Sequence, residues 1–233
     1  GAARQRASFG TKRSRVQIPA ARPHERGGMS IYRERILPRL LDKIMDRPSS
    51  HVARDQVCAG LYGEVLEIGF GTGLNISHYP NEVKRVCAIE PSELGWEIAE
   101  PRIAARSIPI EMGGLNGERL ALTEEQFDCA LSTWTLCSIP DVSLALKEIH
   151  RVLKPGGELH YLEHGHAPDE SVARWQSRIE PVQKIIAGGC HLTRPIADLI
   201  TEAGFTIVES AEYYSPKEPK PFGYTFIGRA QRN

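Results

Sequence analysis

The 233 residues of this chain suffice for one α/β domain with a sheet buried on both faces. Apolar residues make up 41% and charged residues 25%, which is typical of a globular protein. Lys plus Arg and Asp plus Glu number 29 each, so the neutral balance excludes a global electrostatic attraction to nucleic acid. No apolar run approaches the roughly 20 residues of a transmembrane helix, and we therefore expect a soluble, cytoplasmic protein.

Residues 1–28 differ from the rest of the chain. They carry seven basic residues against the single acid Glu25, without helical or strand periodicity and without the apolar core of a signal peptide. We interpret them as a basic leader, non-native or disordered, either translated from upstream of Met29 or serving as an organellar transit peptide. Residues 29–233 then form the single domain. From Ser30 to Asp46, apolar residues at helical spacing predict an amphipathic helix that Pro38 interrupts early.

A short apolar strand then runs into a glycine-rich turn. The turn combines one acid with three glycines at alternate positions and an amide shortly after them: Glu67, Gly69, Gly71, Gly73 and Asn75. Such a turn brings backbone N–H groups close to a nucleotide-like ligand at the carboxyl edge of a parallel sheet. A dinucleotide fingerprint would place the third glycine one residue later. Because a carboxylate favours a cationic ligand over a pyrophosphate, the turn indicates S-adenosylmethionine rather than NAD.

A second apolar strand, residues 85–89, ends at Glu90, about 20 residues beyond the glycines. A carboxylate there accepts two hydrogen bonds from the ribose diol. The alternative is that Glu90 caps the helix that begins near Ser92.

The next predicted units are a strand, a helix and another strand. The strand covers residues 127–133. Asp141 is the predicted N-cap of the helix, whose apolar residues recur at helical spacing as far as Leu153. Pro155 and the two glycines after it end that helix and turn the chain into the strand of residues 158–163. Near the C-terminus, two strands within residues 205–212 and 221–229 are joined by a short proline-rich loop, which requires an antiparallel pair.

These motifs together resemble the class I S-adenosylmethionine-dependent methyltransferase family. The resemblance covers residues 61–163, and the tail segments 161–164, 188–194 and 223–224 are similar to the branch that includes thiol methyltransferases and their bacterial relatives. It implies a Rossmann-like α/β fold: a mostly parallel seven-stranded sheet with an antiparallel final strand and helices on both faces. In this fold an N-terminal helix commonly lies across the opening of the cofactor site. The helix near Tyr32 either has that role or only packs against the domain.

The resemblance also implies roles for residues outside the glycine turn. The loop 113–120 is expected to contact the adenine, with Asn116 and Gly117 where many relatives carry an acid and its neighbour. Thr133 is expected to line the methionine end of the cofactor or the acceptor pocket. His164 matches the family's Glu-His pair and is the candidate base, while His191 closes the pocket from the other side; the alternative is that both are structural.

The five cysteines show no C-x-x-C spacing, so we expect reduced core thiols and no metal site. Cys190 either lines the acceptor site or is a small buried apolar residue. The predicted function is methyl transfer from S-adenosylmethionine to a small molecule such as a thiol. Lipids and quinone-like phenols remain open as acceptors. A catalytically silent binding subunit is the alternative from another functional class. A nicotinamide oxidoreductase is disfavoured, because binding NAD would not explain the carboxylate of Glu67.

Overall fold

A computed structural model of the chain describes residues 31–216 and 218–233. The interpretation of residues 1–28 as a leader lies outside the described residues. Seven strands are present in the described part: β1 (Gly63–Ile68), β2 (Val83–Ile89), β3 (Ile110–Gly114), β4 (Phe127–Thr133), β5 (Leu153–His164), β6 (Phe205–Tyr214) and β7 (Tyr224–Arg232). The helices are α1 (Leu37–Met45), α2 (Pro48–Cys58), α3 (Glu93–Ala104), α4 (Val142–Val152), α5 (Glu170–Ile186), α6 (Ile196–Glu202) and α7 (Lys220–Gly223).

The strands form one sheet in the order β3-β2-β1-β4-β5-β7-β6. The four pairings from β3 to β5 are parallel, and β7 is antiparallel to both β5 and β6. The predicted fold class is confirmed, including the antiparallel pair at the end of the chain. The last strand begins at Tyr224 rather than near Pro221, because Pro221 has no N–H for a ladder and lies in the short helix α7.

Helices cover both faces of the sheet because side chains of a strand alternate between the faces. Leu66 of β1 packs in the cluster that includes Leu146 of α4 and Ile200 of α6. Its neighbour Val65 packs in the second cluster, with Val57 of α2. The carboxyl ends of β1, β2, β4 and β5 therefore meet at one edge between two packed helical layers, where the predicted site residues lie.

The caps of two helices agree with the sequence. Asp141 is the N-cap of α4, and its carboxylate accepts a hydrogen bond from the N–H of Leu144 at 2.9 Å. Ser92 is the N-cap of α3, with its hydroxyl accepting from the N–H of Gly95 at 3.0 Å. Both caps fix where the chain leaves the site edge of the sheet.

The predicted N-terminal helix is mostly exposed and contacts the domain through the buried Leu37 and through Asp42. It begins with a π-helical turn, Tyr32–Ile36, and continues as α1, whose first turn contains Pro38. Asp42 accepts hydrogen bonds from Thr72 in the glycine turn at 2.6 Å and from Arg102 at 2.8 Å. The apolar side chains at the spacing used for the prediction are more than a third exposed: Ile31, Ile36, Leu40, Leu41 and Ile44. The helix thus lies against the glycine turn through Asp42. Within the described residues, no helix combines the length and the apolar character needed to cross a membrane.

Candidate active site

The three glycines of the turn have different surroundings. The N–H of Gly69 donates to the carbonyl of Ile89 at 2.9 Å, which joins the turn to β2. A Cβ placed at Gly73 would stand 2.7 Å from Ile76, so the glycine allows the turn to pack closely against this side chain. Gly71 has a φ of +58°, and a Cβ there would face open space, with no atom nearer than the carbonyl oxygen of Gly69 at 3.9 Å. Gly71 is therefore the point at which the turn lets a ligand approach the backbone.

Glu90 joins the end of β2 to this turn. Its two carboxylate oxygens accept hydrogen bonds from the N–H of Gly71 at 2.7 Å and from that of Ser92 at 2.8 Å. Because Ser92 is the N-cap of α3, Glu90 does not take that position. Burial raises the pKa of Glu90. Each oxygen keeps a further lone pair, so the carboxylate still has acceptors for a ribose diol.

Glu67 lies fully buried beneath the turn. The amide of Asn75 donates to one carboxylate oxygen at 2.8 Å, and the hydroxyl of Tyr79 donates to the other. Burial raises the pKa of Glu67 to about 7, although these hydrogen bonds oppose the shift. The structure thus gives Glu67 protein partners that hold Asn75 in place, and its contact with a cationic ligand stays a prediction.

Arg54 of α2 reaches the same network and was not found from the sequence. Its guanidinium donates to the Asn75 side-chain oxygen and, at 3.3 Å, to the hydroxyl of Thr133. It also lies over the ring of Trp134, 4.9 Å from the centroid. Burial lowers the pKa of Arg54, while the nearby charge of Glu67 opposes the shift. An isolated arginine in a helix belongs to no local motif, so no sequence signal marked it.

Trp134 begins the segment after β4 in an unusual conformation. Its φ of +50° is in the left-handed region, which a bulky residue seldom adopts. The buried indole N–H has no hydrogen-bond acceptor among the described residues, and neither does Nε of Arg54. Two buried donors without acceptors, on side chains that contact each other, fit an anionic group such as the carboxylate of a bound amino acid. The residues present therefore fit the methionine end of S-adenosylmethionine.

His164 ends β5 and lies near Trp134. The two rings lie 6.2 Å apart between centroids, and Nδ1 of His164 is 3.8 Å from Sγ of Cys190. His191 is placed differently, because its imidazole pairs with Glu180 at 3.3 Å. Burial lowers the pKa of His191, and nearby Arg194 adds to that shift. The structure thus brings Cys190, rather than the His191 imidazole, next to His164.

Glu163, the residue before His164, orders the segment after β4. Its buried carboxylate accepts from Ser132 Oγ at 2.7 Å and from the N–H groups of Thr135 and Cys137, both at 3.1 Å. Burial raises the pKa of Glu163. The two residues of the Glu-His pair thus have different surroundings: the acid fixes the neighbouring loop, and the histidine lies beside Trp134 and Cys190.

The predicted adenine loop lies beside β1. A Cβ on Gly117 would stand 3.1 Å from the side chain of Ile68, so the loop approaches the end of that strand closely. The side-chain oxygen of Asn116 accepts from the N–H of Glu118 at 2.8 Å. Asn116 and Glu118 also line a surface cavity of about 510 Å³ that contains no residue of the glycine turn. The adenine contact of Asn116 and Gly117 stays a prediction.

Comparison with known proteins agrees with this geometry. The family model described as "Methyltransferase domain" matches residues 66–161. The thiol S-methyltransferase TMT1B of Rattus norvegicus is 36% identical over 172 residues, which cover 71% of this chain and 69% of that protein. The human thiol S-methyltransferase TMT1A is 30% identical over 182 residues, covering 72% and 73% of the two chains.

The fold is shared with solved methyltransferases. The N-methyltransferase NodS of Bradyrhizobium japonicum, solved with S-adenosyl-L-homocysteine, superposes with a TM-score of 0.63 at 19% identity. The match covers 88% of this chain and 96% of NodS. The glycine turn and Glu90 lie together at one edge of the sheet, and the thiol S-methyltransferases match more than two thirds of the chain. The chain therefore belongs to the class I S-adenosylmethionine-dependent methyltransferase family, and S-adenosylmethionine is its cofactor.

Proposed function

We propose that this enzyme methylates small thiols and works in the reducing environment of the cytoplasm. Relatives that are 30% and 36% identical to it over about 70% of its length are named thiol S-methyltransferases. All five cysteines are free and buried, which suits a reducing compartment. The neutral charge balance suits a small acceptor rather than a polynucleotide.

The observation that carries the proposal is the position of Trp134. Its ring contacts Arg54, which binds Asn75 of the glycine turn, and lies 6.2 Å from the His164 ring. A flat apolar surface between the donor residues and His164 suits a small hydrophobic acceptor. The strained conformation of Trp134 is the kind of outlier found where a site must be positioned closely.

Donor binding is assigned to the residues of the glycine-turn side. When bound, S-adenosylmethionine supplies a methyl group on a positively charged sulfur. Gly71 leaves room for the ligand, and Glu90 accepts hydrogen bonds from the ribose. The free donors of Arg54 and Trp134 hold the carboxylate, while Asn75 and Thr133 keep Arg54 in place. Holding the donor and the acceptor in line contributes about 7–11 kcal/mol to lowering the barrier of such a reaction.

The acceptor side requires proton removal. A thiol is a weak nucleophile until it loses its proton, so we propose that His164 takes the proton as the sulfur attacks the methyl carbon. His191, which pairs with Glu180, closes the pocket instead of moving the proton. Thiolate formation and methyl transfer then leave a thioether and neutral S-adenosylhomocysteine.

The test is a screen of thiols, phenols, amines and lipids for release of S-adenosylhomocysteine, followed by pH profiles on the best acceptor. We expect a thiol to be that acceptor. His164→Ala should lower turnover at neutral pH about 100-fold and leave cofactor affinity unchanged. The loss should shrink as the pH rises toward the thiol's own pKa of about 8.5, since the thiolate then forms without help.

His166→Ala is the matched control, because His166 is an exposed histidine two residues further along the chain. It should behave like wild type at every pH. A His164→Ala profile parallel to wild type would remove His164 from the proton transfer. Cofactor binding without methylation of any acceptor class would instead support a silent binding subunit.

A further inference from the structure

Two cysteines distant in the sequence meet His164 at the acceptor side of the site. Cys137 follows β4, and Cys190 follows α5; both are nearly inaccessible, at 1% and 5% exposure. Their Sγ atoms lie 3.6 Å apart, and Sγ of Cys190 is 3.8 Å from Nδ1 of His164. One ligand atom from each of the three residues lies within 4.8 Å of the others. We propose that these residues bind one divalent thiophilic cation, for which Zn²⁺ is the appropriate probe.

The distances fit a tetrahedral site. With Zn–S bonds of about 2.3 Å and a Zn–N bond of about 2.0 Å, the edges of a tetrahedron are about 3.8 Å between two sulfurs and about 3.5 Å between sulfur and nitrogen. Two of the three separations, 3.6 and 3.8 Å, are within a few tenths of an ångström of these edges, and the ligand atoms of Cys137 and His164 lie within 4.8 Å of each other. A disulfide, by contrast, requires sulfurs about 2 Å apart.

The backbone holds the two cysteine segments against each other. The N–H of His191 donates to the carbonyl of Cys137 at 2.8 Å, which joins the residue after one ligand to the other ligand. A Cβ on Gly189 would stand 2.9 Å from the carbonyl oxygen of Ser138, and Gly189 has a φ of +109°. The glycine pair before Cys190 therefore permits a close approach that a larger residue would prevent.

Surrounding groups support the ligands in the manner of metal sites. The N–H of Cys137 donates to Glu163 at 3.1 Å, and Arg194 donates to the carbonyls of Leu136 and Ile139 on either side of that cysteine. Leu192 packs in the same apolar cluster as the two cysteines. Two thiolates and an imidazole form a donor set that suits Zn²⁺, and three protein ligands leave a fourth position open.

The open position would let the metal activate an acceptor thiol, a role that rests on the proposed function. An acceptor thiol that coordinates there releases its proton to solvent and remains as a thiolate. Its sulfur then forms a bond to the methyl carbon while the carbon–sulfonium bond breaks, and the electron pair stays on S-adenosylhomocysteine. The Nδ1 lone pair of His164 is then used in coordination, so the histidine acts as a base only in the metal-free protein.

The site is tested without cofactor or acceptor. The full chain, reduced with a phosphine and freed of metal by a chelator, is titrated with Co²⁺ and then with Zn²⁺. We expect one equivalent of Co²⁺ to give the thiolate charge-transfer and tetrahedral d–d absorption bands, and one equivalent of Zn²⁺ to remove them. A folded wild-type protein that lacks these bands overturns the proposal.

Variants identify the ligands. Cys137→Ala and Cys190→Ala should each weaken Zn²⁺ binding at least about 100-fold, while Cys87→Ala, which removes a buried thiol of β2, should leave it unchanged. If a variant fails to fold, thiol labelling of the wild type decides the matter: Zn²⁺ should protect Cys137 and Cys190 and leave the other cysteines as reactive as before. Equal labelling of these two cysteines with and without Zn²⁺ refutes the assignment.

The two proposals fail in different ways. Specific Zn²⁺ binding without methylation of any thiol would keep the metal site and remove the thiol acceptor. Thiol methylation that is equally fast in metal-free and Zn²⁺-loaded protein would keep the acceptor and remove the activating role of the metal.

Discussion

Replacing Glu90 tests whether this carboxylate binds the cofactor or only orders the turn. In Glu90→Ala, the ribose loses two charge-assisted hydrogen bonds, each worth about 1.5–3 kcal/mol. Water that enters the space recovers part of this energy. We therefore expect cofactor affinity to fall about tenfold to a thousandfold, which corresponds to about 1.4–4 kcal/mol.

The Glu90→Ala substitution should also lower the stability of the protein. The N–H groups of Gly71 and Ser92 lose their acceptor, and since both contacts are only partly buried, water replaces it incompletely. We expect a loss of about 1–2 kcal/mol in the free energy of unfolding, or about 2–8 °C in Tm. Glu90→Gln keeps one acceptor oxygen and should lie between wild type and Glu90→Ala in both quantities.

Calorimetric titration with S-adenosylmethionine and thermal unfolding in its absence separate the two effects. Glu97→Ala is the control, because Glu97 is an exposed glutamate of the same helix α3. It should match wild type in both measurements. If Glu90→Ala lowers Tm but changes affinity less than twofold, Glu90 orders the turn and does not contact the ribose.

Four further substitutions test other residues of the donor side. Gly71→Ala should cost about 1–2 kcal/mol of stability, because the backbone there is left-handed, and should weaken cofactor binding more than tenfold. Gly73→Ala should mainly lower Tm, because its Cβ would crowd Ile76. Equal cofactor affinities in the two variants would contradict the placement of the ligand at Gly71. Arg54→Met should reduce affinity for S-adenosylmethionine at least about tenfold in the same titration, and unchanged affinity would remove its role at the carboxylate. Because burial raises the pKa of Glu67 to about 7, the folded protein holds the proton more tightly than the unfolded chain does. The contribution of the protonated Glu67 to the free energy of unfolding is therefore fully present below about pH 4.5. It is lost as the pH rises through about 7, and the total loss is about 3 kcal/mol. Denaturant unfolding of wild type and Glu67→Gln across this range should give curves that diverge by that amount, and parallel curves would show that Glu67 does not titrate there.

Local patterns in the sequence predicted the fold well. The strand at residues 127–133 has the predicted bounds, and Asp141 caps the helix as expected. The glycine turn and Glu90 were also placed together, because parallel strands bring their carboxyl ends to one edge. Each of these features depends on residues close in the chain or on a rule of sheet topology.

Contacts between distant segments were not predictable in the same way. Cys137 and Cys190 are 53 residues apart and belong to no ligand spacing, so their proximity depends on how the segments after β4 and α5 pack. Arg54 likewise reaches Asn75 from a helix without a motif. The burial of Glu67 was missed for a related reason, since its hydroxyl partner, Tyr79, lies beyond the turn.

The antiparallel strand β7 has a consequence for how acceptor preference can change. His164 at the carboxyl end of β5 is paired with Thr225 near the start of β7, so the short helix α7 enters the sheet beside the acceptor side. In the proposed site, the donor residues come from the part of the chain before β5, whereas His164 and Cys190 of the acceptor side lie at the end of β5 and after it. Insertions or exchanges in these later segments can therefore alter which molecule is methylated while leaving the S-adenosylmethionine site intact. In this proposal, the order of the strands places donor binding in the earlier part of the chain and acceptor preference in the later part.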